Sequence, residues 1–473
     1  MSFTHALKWS FLSELAAKAI QPVVFIVLAR LLTPEDFGVM TAVMMVIAFS
    51  QIFCEAGMGK ALIQRQTHIK EAANAAFMIN IGLGVLIAGL LYLFAQPIAQ
   101  TFFQDDRVTA VLQVMTLQVL LGALGSVQTA LLQKEMGFKK LFWVRFATVS
   151  LPGLASIPLA MNGWGYWALV AGTLVGQFAQ VLMLWRMSHW RPGFTRDSVV
   201  TKEIAGFGGW VGLSGLLGWF YVWVDSLIVG MYLGGHELGL YRLGSQLSTV
   251  IFGLAFAPML PVLYSHLSKI NNDKSAVSAV ANRAIATIAL LSFPMGLYLY
   301  FASPGIENIL FDKKWSGIYL VIGFMSLSQA VSYLAAPNQE VYRAVGKPHY
   351  ETVAMIVALP IYLAVYIVSV KGGFQDFLIS RFLLTFFSIA FHFSVLRLVI
   401  KYDIPIMARS IIMPLLISLA VLAPSAYLAG LPKFSLAQQS ILLAIVFVLI
   451  LAPFLFLYGK KMNLINIQLS KVN

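Results

Sequence analysis

Apolar runs of about 20 residues follow one another almost from end to end of this 473-residue chain, separated by short polar turns. A bilayer core ~30 Å thick is crossed by ~20 helical residues, so each run predicts one membrane-spanning helix. The runs fall at 8–31, 36–56, 72–95, 109–132, 141–161, 164–187, 204–230, 238–264, 282–303, 316–336, 350–370, 377–399, 408–429 and 437–458, fourteen in all. The first two are joined by Ala29-Arg-Leu-Leu-Thr-Pro-Glu-Asp-Phe-Gly38, in which Thr33 reads as a helix N-cap, Pro34 as the first helical residue and Glu35 and Asp36 as first-turn acids.

That hairpin returns 201 residues later. In Leu233-Gly-Gly-His-Glu-Leu-Gly239, the residues Leu233, Glu237, Leu238 and Gly239 answer Leu32, Asp36, Phe37 and Gly38. A second echo links Lys134-Glu-Met-Gly-Phe-Lys139 with Arg343-Ala-Val-Gly-Lys-Pro348, each after an even-numbered run. The expected fold is therefore all-α and integral to the membrane, with about 14 transmembrane helices: two pseudo-symmetric six-helix bundles plus two C-terminal helices. The bundles are expected at residues 1–190 and 204–403, with a hydrophilic cytoplasmic linker at 191–203 and the extra helices and a short tail in 404–473. Six is even, so the bundles relate as parallel repeats about an axis along the membrane normal.

Composition and charge agree with this reading. With 59% hydrophobic and 11% charged residues, too few polar groups exist to cover a soluble globule. Residues 1–15 show no cleavable signal peptide, leaving the first helix to direct insertion. The net charge of +13 is distributed by topology: 23 of the 32 Lys and Arg fall on the side of the N-terminus, six on the other side and three within helices. The positive-inside rule then predicts a cytoplasmic-membrane protein with both termini cytoplasmic, attracted to anionic lipids and binding no nucleic acid. The lone cysteine, Cys54, excludes an intrachain disulfide and a cysteine metal cluster.

Ionisable groups inside a membrane cost ~2.5 to 3.5 kcal/mol each on insertion scales and therefore face the protein interior or water. On the first helix Ser10, Glu14, Lys18, Gln21 and Phe25 fall in an arc about 80° wide, and on the seventh Ser214, Gly218, Tyr221 and Asp225 share a face. Glu14 and Lys18 fit an i,i+4 ion pair that only holds helices together as well as they fit a transport role. The eighth helix carries Arg242 and Gln246, with Pro258 and Pro261 as bend points, and the twelfth carries Arg381. Glu55-Ala-Gly-Met-Gly-Lys60 imitates a phosphate loop but has Cys54 and Ala61 where that motif needs Gly and Ser or Thr. The sequence holds no nucleotide-hydrolysis, zinc, haem or nucleophile-triad pattern, so no catalytic residue, metal ligand or cofactor is expected, and movement across the bilayer is the remaining class.

Leu28-Ala-Arg-Leu-Leu-Thr-Pro-Glu-Asp-Phe-Gly38, Glu55-Ala-Gly-Met-Gly-Lys-Ala-Leu-Ile-Gln64 and Leu131-Leu-Gln-Lys-Glu-Met-Gly-Phe-Lys139 closely resemble the Wzx-type oligosaccharide flippases of bacterial polysaccharide export. Asn162 to Val170, Asp225 to Gly230, Leu238 to Tyr241 and Pro258 to Ser265 continue the likeness; Ser226 departs from it, standing where the family often has a basic residue. The superfamily also holds the multidrug antiporters and the lipid II flippase. The resemblance implies a flippase that carries a polyprenyl diphosphate-linked oligosaccharide repeat unit, for O-antigen, capsule or exopolysaccharide, from the inner to the outer leaflet by alternating access. It implies Lys18, Arg30, Arg242 and Arg381 along the diphosphate path, Gln21, Ser214 and Tyr221 lining the cavity, and Glu14 or Asp225 coupling to a proton or sodium ion. The bacterial inner membrane, membrane lipids, a polysaccharide polymerase and the chain-length machinery are the partners it suggests. The alternatives are a cation-coupled multidrug or metabolite antiporter and a membrane-embedded glycan transferase.

Overall fold

A computed structural model describes residues 20–55, 57–193, 198–400, 404–429 and 434–461. Among these residues all regular structure is helical. In chain order the helices are α1 (Ile20–Leu31), α2 (Pro34–Glu55), α3 (Met58–Gln64), α4 (Ile69–Ile98), α5 (Asp106–Lys134), α6 (Phe138–Met161), α7 (Tyr166–Met187), α8 (Ser198–Leu233), α9 (Gly235–Phe256), α10 (Met259–Lys269), α11 (Lys274–Leu310), α12 (Ile318–Ser332), α13 (Ala336–Ala344), α14 (His349–Ser369), α15 (Phe374–Val399), α16 (Ile404–Ala429), α17 (Leu436–Val446) and α18 (Ala452–Lys461).

Twelve stretches of helix are long and apolar enough to cross a bilayer, and α9 with α10, bent by 45° at Ala257 and Pro258, makes a thirteenth. Helix α1 is the described part of the first predicted run, so the fourteen expected spans each find a helix. The 45° break falls at the expected proline, which has no N–H to carry the hydrogen-bond ladder onward. The spans start where the sequence supplies caps. Asp105 accepts from the Arg107 N–H at 3.0 Å, and Asp273 accepts from the N–H groups of Ser275 and Ala276 at 2.9 and 3.1 Å. Outward-facing apolar side chains such as Leu93 and Leu398, 73% and 76% exposed, are the surface that lipid would cover.

Compactness divides the chain into two units, Met1–Arg242 and Leu243–Asn473. The sequence echo begins earlier, near residue 204, so α8 and the start of α9 repeat α1 and α2 in sequence yet pack on α2 in space. Helix α8 already runs from Ser198, inside the stretch expected as linker. In the first unit α4 lies along α5, α6 along α7, and both α2 and α7 pack on α5. In the second, α11 is central and is flanked by α12, α16 and α17. Gly305 brings α17 close: a methyl there would overlap the Ser440 hydroxyl, which donates to the Ala302 carbonyl at 2.8 Å. The last helices are thus built onto the second unit through α11.

The second echo holds in three dimensions with a shifted register. Glu135, Met136 and Gly137 donate their N–H groups to the carbonyls of Leu131, Gln133 and Leu132, and Val345, Gly346 and Lys347 donate likewise to Val341, Arg343 and Tyr342. Met136 therefore matches Gly346, both left-handed at φ 57° and 73°, whereas aligning the letters had paired Gly137 with Gly346. The turn geometry sets the left-handed position, and Met136 occupies it despite its Cβ.

Candidate functional site

Three turns meet at one end of the first unit. Thr33 and Asp36 cap α2 reciprocally: the Thr33 N–H donates to Asp36 Oδ2 at 2.9 Å and the Asp36 N–H to Thr33 Oγ1 at 3.3 Å. The second carboxylate oxygen of Asp36 accepts from the Tyr166 N–H at 3.0 Å, which ties the start of α7 to the same point. Glu35 Oε1 lies 2.6 Å from His236 Nδ1 at the start of α9. Between them the backbones touch. A methyl on Gly38 would overlap the Gly235 carbonyl, and one on Gly239 would overlap the Pro34 carbonyl. Each contact is the image of the other under the 201-residue offset, so α2 and α9 cross about a local twofold axis. This clasp fastens the end that the charge distribution assigns to the outside.

Eight residues before the end of α8, about 12 Å along the axis, sits Asp225. It is buried, 7% exposed. Its Oδ2 accepts from the Tyr241 hydroxyl at 2.7 Å and its Oδ1 from the Ser226 N–H at 2.6 Å. The neighbouring Arg242 lays its guanidinium 4.3 Å from the centre of the Trp223 ring and feels the field of Asp225. The structure thus leaves Arg242 within the electrostatic reach of Asp225 and gives Ser226, the departure from the family pattern, a hydrogen bond to the acid.

Toward the opposite, basic end of the first unit lies a cavity of about 580 Å³ between α2, α3, α5, α7 and α8. Five glutamines line it: Gln51, Gln118, Gln133, Gln177 and Gln180. Ser126, Thr129 and Lys60 add two hydroxyls and a cation, and among the described residues no carboxylate lines it. Gln118, Gly122, Gly125, Ser126, Thr129 and Gln133 follow a helical period on one face of α5, with the glycines opening room between the amides. Gln118 is 7% exposed and its Oε1 has no hydrogen-bond partner, so the wall of the cavity holds a buried, unsatisfied acceptor. Lys60 is positioned from below. Gly57, left-handed at φ 67°, breaks α2 from α3, and Lys134 Nζ fastens the end of α3 through the carbonyls of Ile63 and Arg65.

Amides donate and accept in pairs, as sugar hydroxyls do, and an ammonium without a competing carboxylate selects an anion. The cavity is chemically suited to a glycan with an anionic link and ill suited to a lipophilic cation.

The residues expected from sequence are placed as follows. Glu14 and Lys18 fall outside the described residues, as does the Ser214 side chain. Gln21 is exposed on α1, Arg30 is exposed at the end of α1, Tyr221 is 39% exposed on α8, and Arg381 is half-buried on α15 in the second unit. Of the described ones, Gln21, Arg30, Tyr221, Arg381, Asp225 and Arg242 do not line the amide cavity. Sequence reasoning missed the glutamines because it followed charge; the signal available was the polar period on α5 and the Gln177, Gln180 pair one turn apart.

Comparison with solved structures defines the class first. The lipid II flippase MurJ in an inward-closed conformation shares the fold over 97% of this chain and 100% of its own, with a TM-score of 0.78 at 14% identity. An inward-facing multidrug resistance MATE family transporter of the MOP superfamily covers 80% of this chain and 94% of its own, with a TM-score of 0.62 at 12% identity. The chain has the fold of this group of membrane transporters. It belongs to the polysaccharide biosynthesis protein family, whose pattern matches residues 27–320. It is similar to the teichuronic acid biosynthesis protein TuaB of Bacillus subtilis, 25% identical over 88% of this chain and 86% of that protein. The succinoglycan biosynthesis transport protein ExoT of Rhizobium meliloti is 24% identical over 69% of this chain and 66% of its own length. The lipopolysaccharide biosynthesis protein WzxC of Escherichia coli is 22% identical over 67% and 64%.

Proposed function

We propose that this protein is a flippase for polyprenyl diphosphate-linked oligosaccharide repeat units in the bacterial cytoplasmic membrane, with both termini cytoplasmic. The observation that carries the reading is the amide-lined cavity with Lys60 and, among its described lining residues, no carboxylate. Sugar hydroxyls exchange water for glutamine amides there, and the cation offsets the loss of hydration that a diphosphate suffers on leaving water. The clasp closes the outer end, so the cavity is reached from the cytoplasmic end or from the inner leaflet. Opening the clasp while the inner end closes would give alternating access. The polyprenyl chain stays in the bilayer throughout, and no covalent bond is made or broken.

Asp225 is the candidate for proton or sodium coupling, because a buried acid held by Tyr241 and next to Arg242 exchanges a cation at the expense of local contacts. Lys18, Arg30, Arg242 and Arg381 remain candidates for steps in which the diphosphate leaves the cavity. A polysaccharide polymerase and its chain-length machinery are the expected recipients of the flipped unit. The antiporter alternative is disfavoured by the lining of the cavity, since a lipophilic cation would meet Lys60 and no carboxylate among the described residues.

The test is transport in proteoliposomes holding a fluorescent polyprenyl diphosphate disaccharide in both leaflets, with dithionite quenching of the outer one. Accessibility of the inner pool should rise with the wild-type protein and fall at least tenfold with Lys60→Gln. Wild-type protein that leaves the inner pool unquenched would remove the flippase reading.

A further inference from the structure

A second cavity, of about 330 Å³, adjoins the amide-lined one, and Thr129, Gln133 and Gln180 line both. Its other wall is a stretch of α6: Phe138, Leu141, Phe142 and Val144 are apolar, while Arg145 and Thr148 bring polar groups to it. A cleft remains here because α6 packs along α7 and only sparsely against α5. The two cavities thus share a wall, amide-rich on one side and aromatic on the other.

The aromatic side has the marks of a lipid boundary. On the same turns of α6, Trp143 and Phe146 are 47% and 39% exposed. With Phe142 they make a cluster of three rings whose centroids lie 5.2, 6.1 and 6.0 Å apart. Arg145 stands seven residues into α6, about 10 Å from its start, at a depth from which an arginine reaches the headgroup level. Aromatic rings of this kind concentrate where hydrocarbon meets headgroups. A guanidinium there, with apolar rings on one side and amides on the other, matches an amphiphile whose anionic link joins a polar head to a hydrocarbon chain. A phospholipid has the anion and the chain but no head that would need five glutamines.

We propose that the cleft between α5 and α6 is the side entrance of the first unit, in which the polyprenyl diphosphate stands with its glycan in the amide cavity. Arg145 binds the diphosphate and Phe142 packs on the first prenyl units. The proposal rests on the flippase reading and adds to it where the lipid enters.

The test uses the full-length protein in nanodiscs with a fluorescent polyprenyl diphosphate disaccharide as probe. Phe142→p-benzoylphenylalanine is irradiated beside Leu154→p-benzoylphenylalanine, a position 69% exposed farther along the same helix. The expected result is capture of the probe at position 142 at least fivefold above position 154, abolished by excess unlabelled probe. Adding Arg145→Gln should lower that capture at least fivefold and Arg145→Lys should restore part of it. Capture of nanodisc phospholipid alone at position 142, or equal capture at both positions, overturns the entrance. If Arg145→Gln fails to fold, the comparison of positions 142 and 154 in otherwise unchanged protein decides. Normal transport without capture at 142 removes only the entrance, whereas wild-type protein that neither binds nor moves the probe removes the flippase reading.

Discussion

Glu35 and His236 stand 201 residues apart along the chain and 2.6 Å apart in space. The offset is that of the repeated hairpin, so the sequence echo and the spatial contact are one relationship seen twice. The close approach is made by Gly38 and Gly239, each of which leaves room for the partner's carbonyl. The side-chain pair then fixes the register of that approach. Because both side chains are 38% exposed, the pair itself is worth no more than about 1 kcal/mol.

This makes the clasp testable by trapping. In a Cys54→Ala background, which removes the single native thiol, Glu35→Cys with His236→Cys should form a disulfide under mild oxidation, read as a gel shift after protease cleavage between the two positions. Transport should stop on oxidation and return with reductant. Gly38→Val should lower the yield of the disulfide at least fivefold, since its side chain meets backbone rather than a movable side chain. An undiminished yield would mean that the glycine contact does not hold the crossing.

Asp36 joins three segments, and its replacement should show in stability. Asp36→Ala removes the carboxylate half of the reciprocal cap of α2 and leaves the Tyr166 N–H without its partner. The expected loss is about 1 to 2 kcal/mol. In detergent this reads as a melting point lowered by a few degrees, whereas Glu35→Gln should change it much less.

At Asp225 the hydroxyl of Tyr241 supplies one of the few contacts within reach of a buried acid. Tyr241→Phe should destabilise by about 1.5 to 3 kcal/mol, the range for a hydrogen bond to a charged group. Asp225→Asn should make transport independent of the imposed ion gradient while the protein still reaches the membrane. Gradient dependence unchanged in that variant would take Asp225 out of the coupling.

The amide cavity predicts graded rather than all-or-none losses. Gln118→Leu fills the place of an unpartnered acceptor with an apolar group, so stability should hold or rise slightly while probe affinity falls about tenfold, or ~1.4 kcal/mol. Lys134→Met acts one step away, by releasing the end of α3 from its two carbonyl contacts. It should weaken binding less than Lys60→Gln does and speed hydrogen exchange over residues 58–64.

The architecture was legible because span length and charge asymmetry are properties of whole segments. Twelve of the fourteen apolar runs match helices long enough to cross a bilayer, α9 with α10 supplies a thirteenth and the first is described as the short helix α1, and Thr33, Pro34 and Asp36 behaved as the cap their order announced. The α9–α10 bend was readable from Pro258. The amide cavity was not, because glutamines and glycines scattered along apolar helices barely change hydropathy, and only the packing of α2, α5, α7 and α8 gathers them. The attention given to charge led to Asp225 and Arg242, whose charges feel one another, and away from Lys60, dismissed with its false phosphate loop. The second turn echo was seen one residue out of register because a left-handed position accepts Met136 as well as Gly346.

The symmetry of the crossing has a mechanical consequence. Gly38 against Gly235 and Gly239 against Pro34 belong to the same two helices and the same axis. Sliding one helix off the other breaks both contacts in a single movement, and neither can be kept as a foothold while the other lets go. A lock of this kind has a shut position and an open one with little between them, so under the proposed alternating access α2 and α9 would part as a switch and not as a hinge that opens by degrees.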